Sequence, residues 1–175
     1  MAIYAFEGRT PRIAPSAYIH PEATVIGDVV VEEGCYIGPG ARLRGDWGTI
    51  TIGPGSNIQE NCVLHARPDY PLTLARDSHI GHAAVLHGCT LGADCMVGIG
   101  AIILDGAVLG EGCIVGAGAL ITAHVVIPPR KILWGAPAEI RGDVSPERAA
   151  VKRRGTARYQ ALPERYRNGL VRLDG

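Results

Sequence analysis

His65 and His87 each follow a leucine, Leu64 and Leu86, and His82 comes two residues after Ile80. Imidazole is a ligand for divalent metals at about 2.0–2.1 Å. If the segments around 65 and 87 run as neighbouring stacked strands, about 4.8 Å apart, the two rings can share one ion. Arg44 follows Leu43 and takes the same slot one coil earlier. His82 is five residues from His87, not the four that would set both on one helix face. It falls at a corner and points away from the pair, so it can complete a site only by meeting the pair of another subunit. Three histidines and an open position make a catalytic zinc-type arrangement. His20, His79 and His124 have no such partners and read as surface histidines.

The elements that must position these side chains follow from a six-residue period. Ile, Leu or Val occupies Ile13, Ile19, Val25, Val31, Ile37 and Leu43, then Ile52, Ile58 and Leu64, then Leu74, Ile80 and Leu86. It resumes at Leu91 and runs through Val97, Ile103, Leu109, Val115, Ile121 and Ile127 to Leu133. Six matches neither a helix nor simple alternation, and it is the period of a hexapeptide β-helix, in which three hexads close one triangular coil. Two residues before most of these positions the side chain is small (Ala23, Cys35, Ala41, Ser56, Cys62, Ala84, Ala101). Three residues after them stand Gly34, Gly40, Gly55, Asn61, Asp77, Asp94, Gly100, Gly106, Gly112 and Gly118. Gly, Asn and Asp tolerate the positive φ of a tight corner.

The period breaks between Leu43 and Ile52, between Leu64 and Leu74, and between Leu86 and Leu91. Insertions in a solenoid gather on one face and frame sites, and His65, His79, His82 and His87 all lie within this stretch. Residues 66–73 read as a loop thrown out of the coil. The expected organisation is a β-helix domain over residues 1–144 and a helical tail over 145–175 that packs on it. Ser145 is its N-cap and Pro146 its first helical residue. The helix is expected to run to about Leu162, with a further short turn or helix opening at Pro163.

The formal net charge is zero, which gives no general attraction to nucleic acid or membranes. The tail is nonetheless basic, with eight Lys/Arg against three Asp/Glu over residues 145–175, and is expected to dock on an acidic surface. No signal peptide or membrane-length apolar run is seen, so the expected location is cytoplasmic. All five cysteines lie two residues before a repeat position and read as buried small residues, not as ligands or disulfides.

Four motifs carry a resemblance over about residues 11–159: Arg44-Gly45-Asp46, Asn57-Ile58-Gln59-Glu60-Asn61, His65, and Gly81-His82 through His87-Gly88. In these the chain resembles the gamma-class carbonic anhydrase-like family. Gly135-Ala136-Pro137-Ala138 is shared more widely with hexapeptide acyltransferases. The resemblance implies an all-β, left-handed parallel β-helix with a C-terminal α-helix, assembled as a homotrimer. It implies a Zn2+, Fe2+ or Co2+ ion held by His65 and His87 of one subunit and His82 of the next, with Gln59 orienting the metal-bound water. Arg44 and Asp46 would form ion pairs near the subunit interface, and Tyr159 would reach the site from the tail. The chain departs from the family in having Glu60 for an aspartate, Trp47 for a glutamate, and Ala66-Arg67-Pro68 in place of an acidic loop. The proton-shuttle acids are therefore missing, which matches the short-loop branch of the family.

The leading expectation is a carbonate dehydratase: reversible CO2 hydration by a metal-bound hydroxide at the trimer interface. The alternative is acyl-CoA thioesterase or hexapeptide acyltransferase chemistry, with Trp47 and Tyr70 as an apolar wall. A transferase needs one base histidine rather than a stacked pair. A metal-binding scaffold without turnover is the third reading.

Overall fold

The computed structural model describes residues 2–174. Met1 and Gly175, which the expected domain bounds include, lie outside them. The described residues form a left-handed parallel β-helix of about seven turns with a helical C-terminus.

Its three faces are three columns of aliphatic residues in strand register. The first column runs Val25, Leu43, Leu64, Leu86, Ile103, Ile121. A second runs Ile13, Val31, Ile52, Leu74, Leu91, Leu109, Ile127. The third runs Ile19, Ile37, Ile58, Ile80, Val97, Val115, Leu133. All but Ile13 are buried. Each coil covers the apolar layer its neighbour leaves open, which is why the period holds for so long. The ten expected corner residues all have φ between 59° and 72°, and Ala83, His124 and Arg130 fill further corners in the same conformation.

The breaks differ in kind. The first is not a loop. Residues Arg42–Ile52 form one continuous strand that bends from the first face onto the second, and the extra residues carry Asp46 and Trp47. The second is a true excursion, closed by paired backbone hydrogen bonds between Arg67 and Tyr70, with Ala66 and Leu72 buried at its ends. The third closes at Gly88, whose φ of 52° makes the shortened corner possible.

Helix α1 (Pro146–Gln160) begins at Ser145, whose hydroxyl accepts from the Arg148 N–H at 3.2 Å. Helix α2 (Leu162–Gly169) follows almost at once. With few apolar residues, α1 docks on the third face by polar contacts. Lys152 Nζ donates to the Asp77 carbonyl and to Asp94, both at 2.6 Å, and Gln160 donates to the Gly55 carbonyl at 3.0 Å. Arg167 of α2 donates to the Ala17 carbonyl at 2.8 Å. No described helix is long and apolar enough to cross a membrane. The five cysteines are buried and unpaired, and burial pushes the Cys35 and Cys62 thiols up to about 11 and Cys89 up to about 12, where they are poor nucleophiles.

Candidate functional site

The expected site residues fall into two groups at two different corners. The first group lies where the first face turns toward the second. Register sets His87 against His65, and His65 against Arg44. The rings of His65 and His87 are 4.9 Å apart, and His65 Nδ1 is 2.9 Å from His87 Nε2. Each far nitrogen meets a carboxylate. His65 Nε2 is 3.2 Å from Asp46 Oδ1, and His87 Nδ1 is 2.6 Å from Asp105 Oδ1.

An ionised carboxylate only accepts, so each imidazole places its N–H on the carboxylate side and turns a lone pair toward the other ring. Two lone pairs 2.9 Å apart repel unless a proton or a cation lies between them. Histidine backed by a carboxylate is also the usual arrangement of a metal-binding imidazole. The donor set therefore fits a divalent metal, although one chain supplies only two histidines. Among the described residues no cluster of three or more His, Cys, Asp or Glu converges as a metal site.

Arg44 pairs with Asp46 of its own chain at 2.7 Å, so this ion pair, expected near an interface, braces the carboxylate behind His65. Burial pushes the Asp46 carboxyl up, but the hydrogen bond and charge of Arg44 outweigh it and hold the group below its usual value. Burial, then the Arg44 charge, lowers His65, which favours the neutral ligand form. Trp47, 57% exposed, lies beside the pair with its ring 5.5 Å from His65 and the Arg44 guanidinium over it.

The second group lies where the third face turns toward the first. His82 Nδ1 hydrogen-bonds Glu60 Oε2 one coil earlier. Glu60 does not reach Arg44; its other oxygen is 3.4 Å from the Tyr36 hydroxyl. Tyr159, projecting from α1, packs on His79 at 5.2 Å and Tyr36 at 5.9 Å between ring centroids. Gln59 is buried, its amide nitrogen 3.0 Å from Asn57 Oδ1 and 2.8 Å from His79 Nε2. No hydrogen bond links Gln59 or His82 to His65 or His87 among the described residues of one chain.

Two residues were missed by the sequence reading. Asp105 was not singled out, although coil arithmetic reaches it: Ile103 pairs with Leu86, which sets the corner after Ile103 over the corner after Leu86. His79 was read as a surface residue and is instead buried, 8% exposed. Its slot points outward from the prism, but α1 covers that face. Burial, then the charges of Lys152 and His82, pushes His79 down to about 4 from 6.5.

In the window between those values the unfolded chain binds the extra proton, so neutral His79 contributes its full stability above about pH 6.5. That contribution is lost as pH falls toward 4 and amounts to at most about 3 kcal/mol. His79→Gln is expected to flatten the fall of the urea midpoint over this range. An unchanged slope would mean that other groups carry the pH dependence.

The prism, its corners and its columns define a hexapeptide-repeat β-helix protein. The model of the family described as bacterial transferase hexapeptide (six repeats) matches residues 10–45 and 88–123. The carnitine operon protein CaiE of Citrobacter koseri is 48% identical over 170 residues, covering 97% of this chain and 86% of the relative. A presumed acetyltransferase of Bacillus cereus superimposes with a TM-score of 0.94 at 37% identity, over 95% of this chain and 97% of the other. A hexapeptide transferase family protein of Anaplasma phagocytophilum does so at 0.90 and 33%, over 94% and 98%. The chain belongs to the bacterial hexapeptide-repeat transferase family.

Proposed function

We propose that this chain acts on acyl thioesters at a histidine site completed between copies of itself, with His65 and His87 from one copy and His82 from another holding a divalent metal. The observation that carries the site is the approach of His65 Nδ1 to His87 Nε2 at 2.9 Å, with a carboxylate at the far nitrogen of each ring. A bound Zn2+, Fe2+ or Co2+ ion would polarise a carbonyl and acidify water near neutral pH. Asp46 and Asp105 hold the two rings in their ligand tautomers, and Glu60 does the same for His82. Trp47 offers an exposed apolar wall beside His65 for an acyl or thiol-bearing group. Membership of the transferase family and the likeness to a presumed acetyltransferase support an acyl substrate. The stacked pair favours hydrolysis over transfer: cleavage of the acyl–sulfur bond to a carboxylate and a free thiol. Hexapeptide-repeat proteins typically form trimers, which supports the shared site.

Reversible CO2 hydration is the second reading, favoured by the same carboxylate-backed pair. Assaying thiol release from short acyl-CoA esters beside bicarbonate formation, on metal-loaded protein, separates the two. Thiol release lost in His65→Ala is the expected result, and hydration without thiol release would put the second reading first. Any hydratase turnover is expected to be limited by proton release, because Trp47 carries no proton and the 66–73 loop offers only Asp69. Its maximal rate should then rise with imidazole-type buffer while efficiency at low CO2 stays constant. A high buffer-independent rate would reveal an internal shuttle.

A further inference from the structure

Asp105 stands at the corner of the coil after His87, and its two oxygens do different things. Oδ1 is 2.6 Å from His87 Nδ1, a closer contact than that of Asp46 with His65. Oδ2 is 3.4 Å from Arg67 Nη1, in the loop that leaves the prism right after His65. The carboxylate thus joins the inserted loop to the imidazole pair.

The consequence lies in the choice of tautomer. A neutral imidazole carries one proton on either nitrogen, and the nitrogen facing an acceptor keeps it. Without an acceptor at Nδ1, the His87 proton is free to move to Nε2. It would then point at His65 Nδ1 across 2.9 Å and form an ordinary histidine–histidine hydrogen bond. That bond satisfies the pair internally and closes it to a ligand. With Asp105 in place, Nε2 is bare and the pair stays open.

We propose that Asp105 is the positioning residue for His87: steadied by Arg67, it fixes His87 as the Nδ1–H tautomer and so keeps its Nε2 lone pair, with that of His65 Nδ1, open to one divalent cation. The inference rests on the metal reading above, and its test separates the two.

Histidine 15N shifts of the metal-free full-length protein, with the His87 signals assigned from His87→Gln, report the tautomer directly. Zinc competition against a chelator reports affinity. In the wild type His87 is expected to be protonated on Nδ1. In Asp105→Asn, whose amide can donate to Nδ1, the Nε2–H form is expected to appear and zinc affinity to fall about 10–100-fold. Asp105→Glu recovers part of both, and Arg67→Met produces a weaker version of the same shift. The metal-free thermal midpoint should stay within about 2 °C throughout, because the residue is a corner side chain outside the core. A tautomer unchanged in Asp105→Asn, or an affinity unchanged in a zinc-binding protein, overturns the proposal. If the wild type binds no zinc yet Asp105→Asn switches the tautomer, the metal reading falls and the positioning role stands.

Discussion

Alanine at His65, His82 or His87 is expected to abolish stoichiometric zinc binding and any turnover that depends on it, while the β-helix remains folded. Each loss should exceed the 10–100-fold typical of a lost supporting carboxylate, since a ligand itself is removed. The fold is spared because the repeat positions next to them, Leu64, Leu86 and Ile80, are untouched and buried. The informative variant is His82→Ala, since His82 hydrogen-bonds Glu60 at another corner and no described contact joins it to the pair. Mixing His65→Ala with His82→Ala protein should restore some complete sites, because each variant supplies the ligand the other lacks. Metal content, circular dichroism and sedimentation check the three parts. Wild-type zinc occupancy in His82→Ala, or a metal-loaded stable monomer, would end the shared-site reading.

Leu64→Ala is expected to cost about 2–5 kcal/mol in a urea titration, with the midpoint falling and the slope unchanged. Leu64 is fully buried between Leu43 and Leu86 in the first column. The coils around it cannot close on the cavity. Their spacing is fixed by main-chain bonds such as Val63 N–H to the Ala84 carbonyl at 3.0 Å and Arg42 N–H to the Cys62 carbonyl at 2.8 Å. Relaxation must come from side chains alone, so the cavity term persists. Val63→Ala, one residue away at a position 41% exposed, is expected to cost about 0.5 kcal/mol or less. Equal costs at the two positions would mean that the columns do not carry the stability.

Much of the fold was legible because a β-helix is nearly one-dimensional. Each repeat repeats the same demand for one aliphatic residue inward, one small residue at the slot before it and one tolerant residue at the corner. The ten corner residues read from the sequence all take positive φ, and the five cysteines fill buried slots as expected. Stacking His87 on His65 also needed only coil arithmetic, since successive coils lie in register. Where the period broke, the reading was weaker. The Leu43–Ile52 interval turned out to be a bent strand, because both of its ends, through Gly45 and from Ile50, pair with the coil before across a shift of register.

The sequence by itself therefore determined the prism, the contents of its three columns, and which histidines share a slot, because a fixed period converts position in the chain into position in space. The tertiary structure decided what no period encodes. Helix α1 covers the third face through Lys152 and Gln160, which turns His79 from a surface residue into a buried one. Glu60 chose His82, and Asp105 and Asp46 took the far nitrogens of His87 and His65. Those choices depend on side-chain reach across corners and on where a polar helix finds its partners. Such contacts lie between residues many positions apart and leave no regular spacing in the chain.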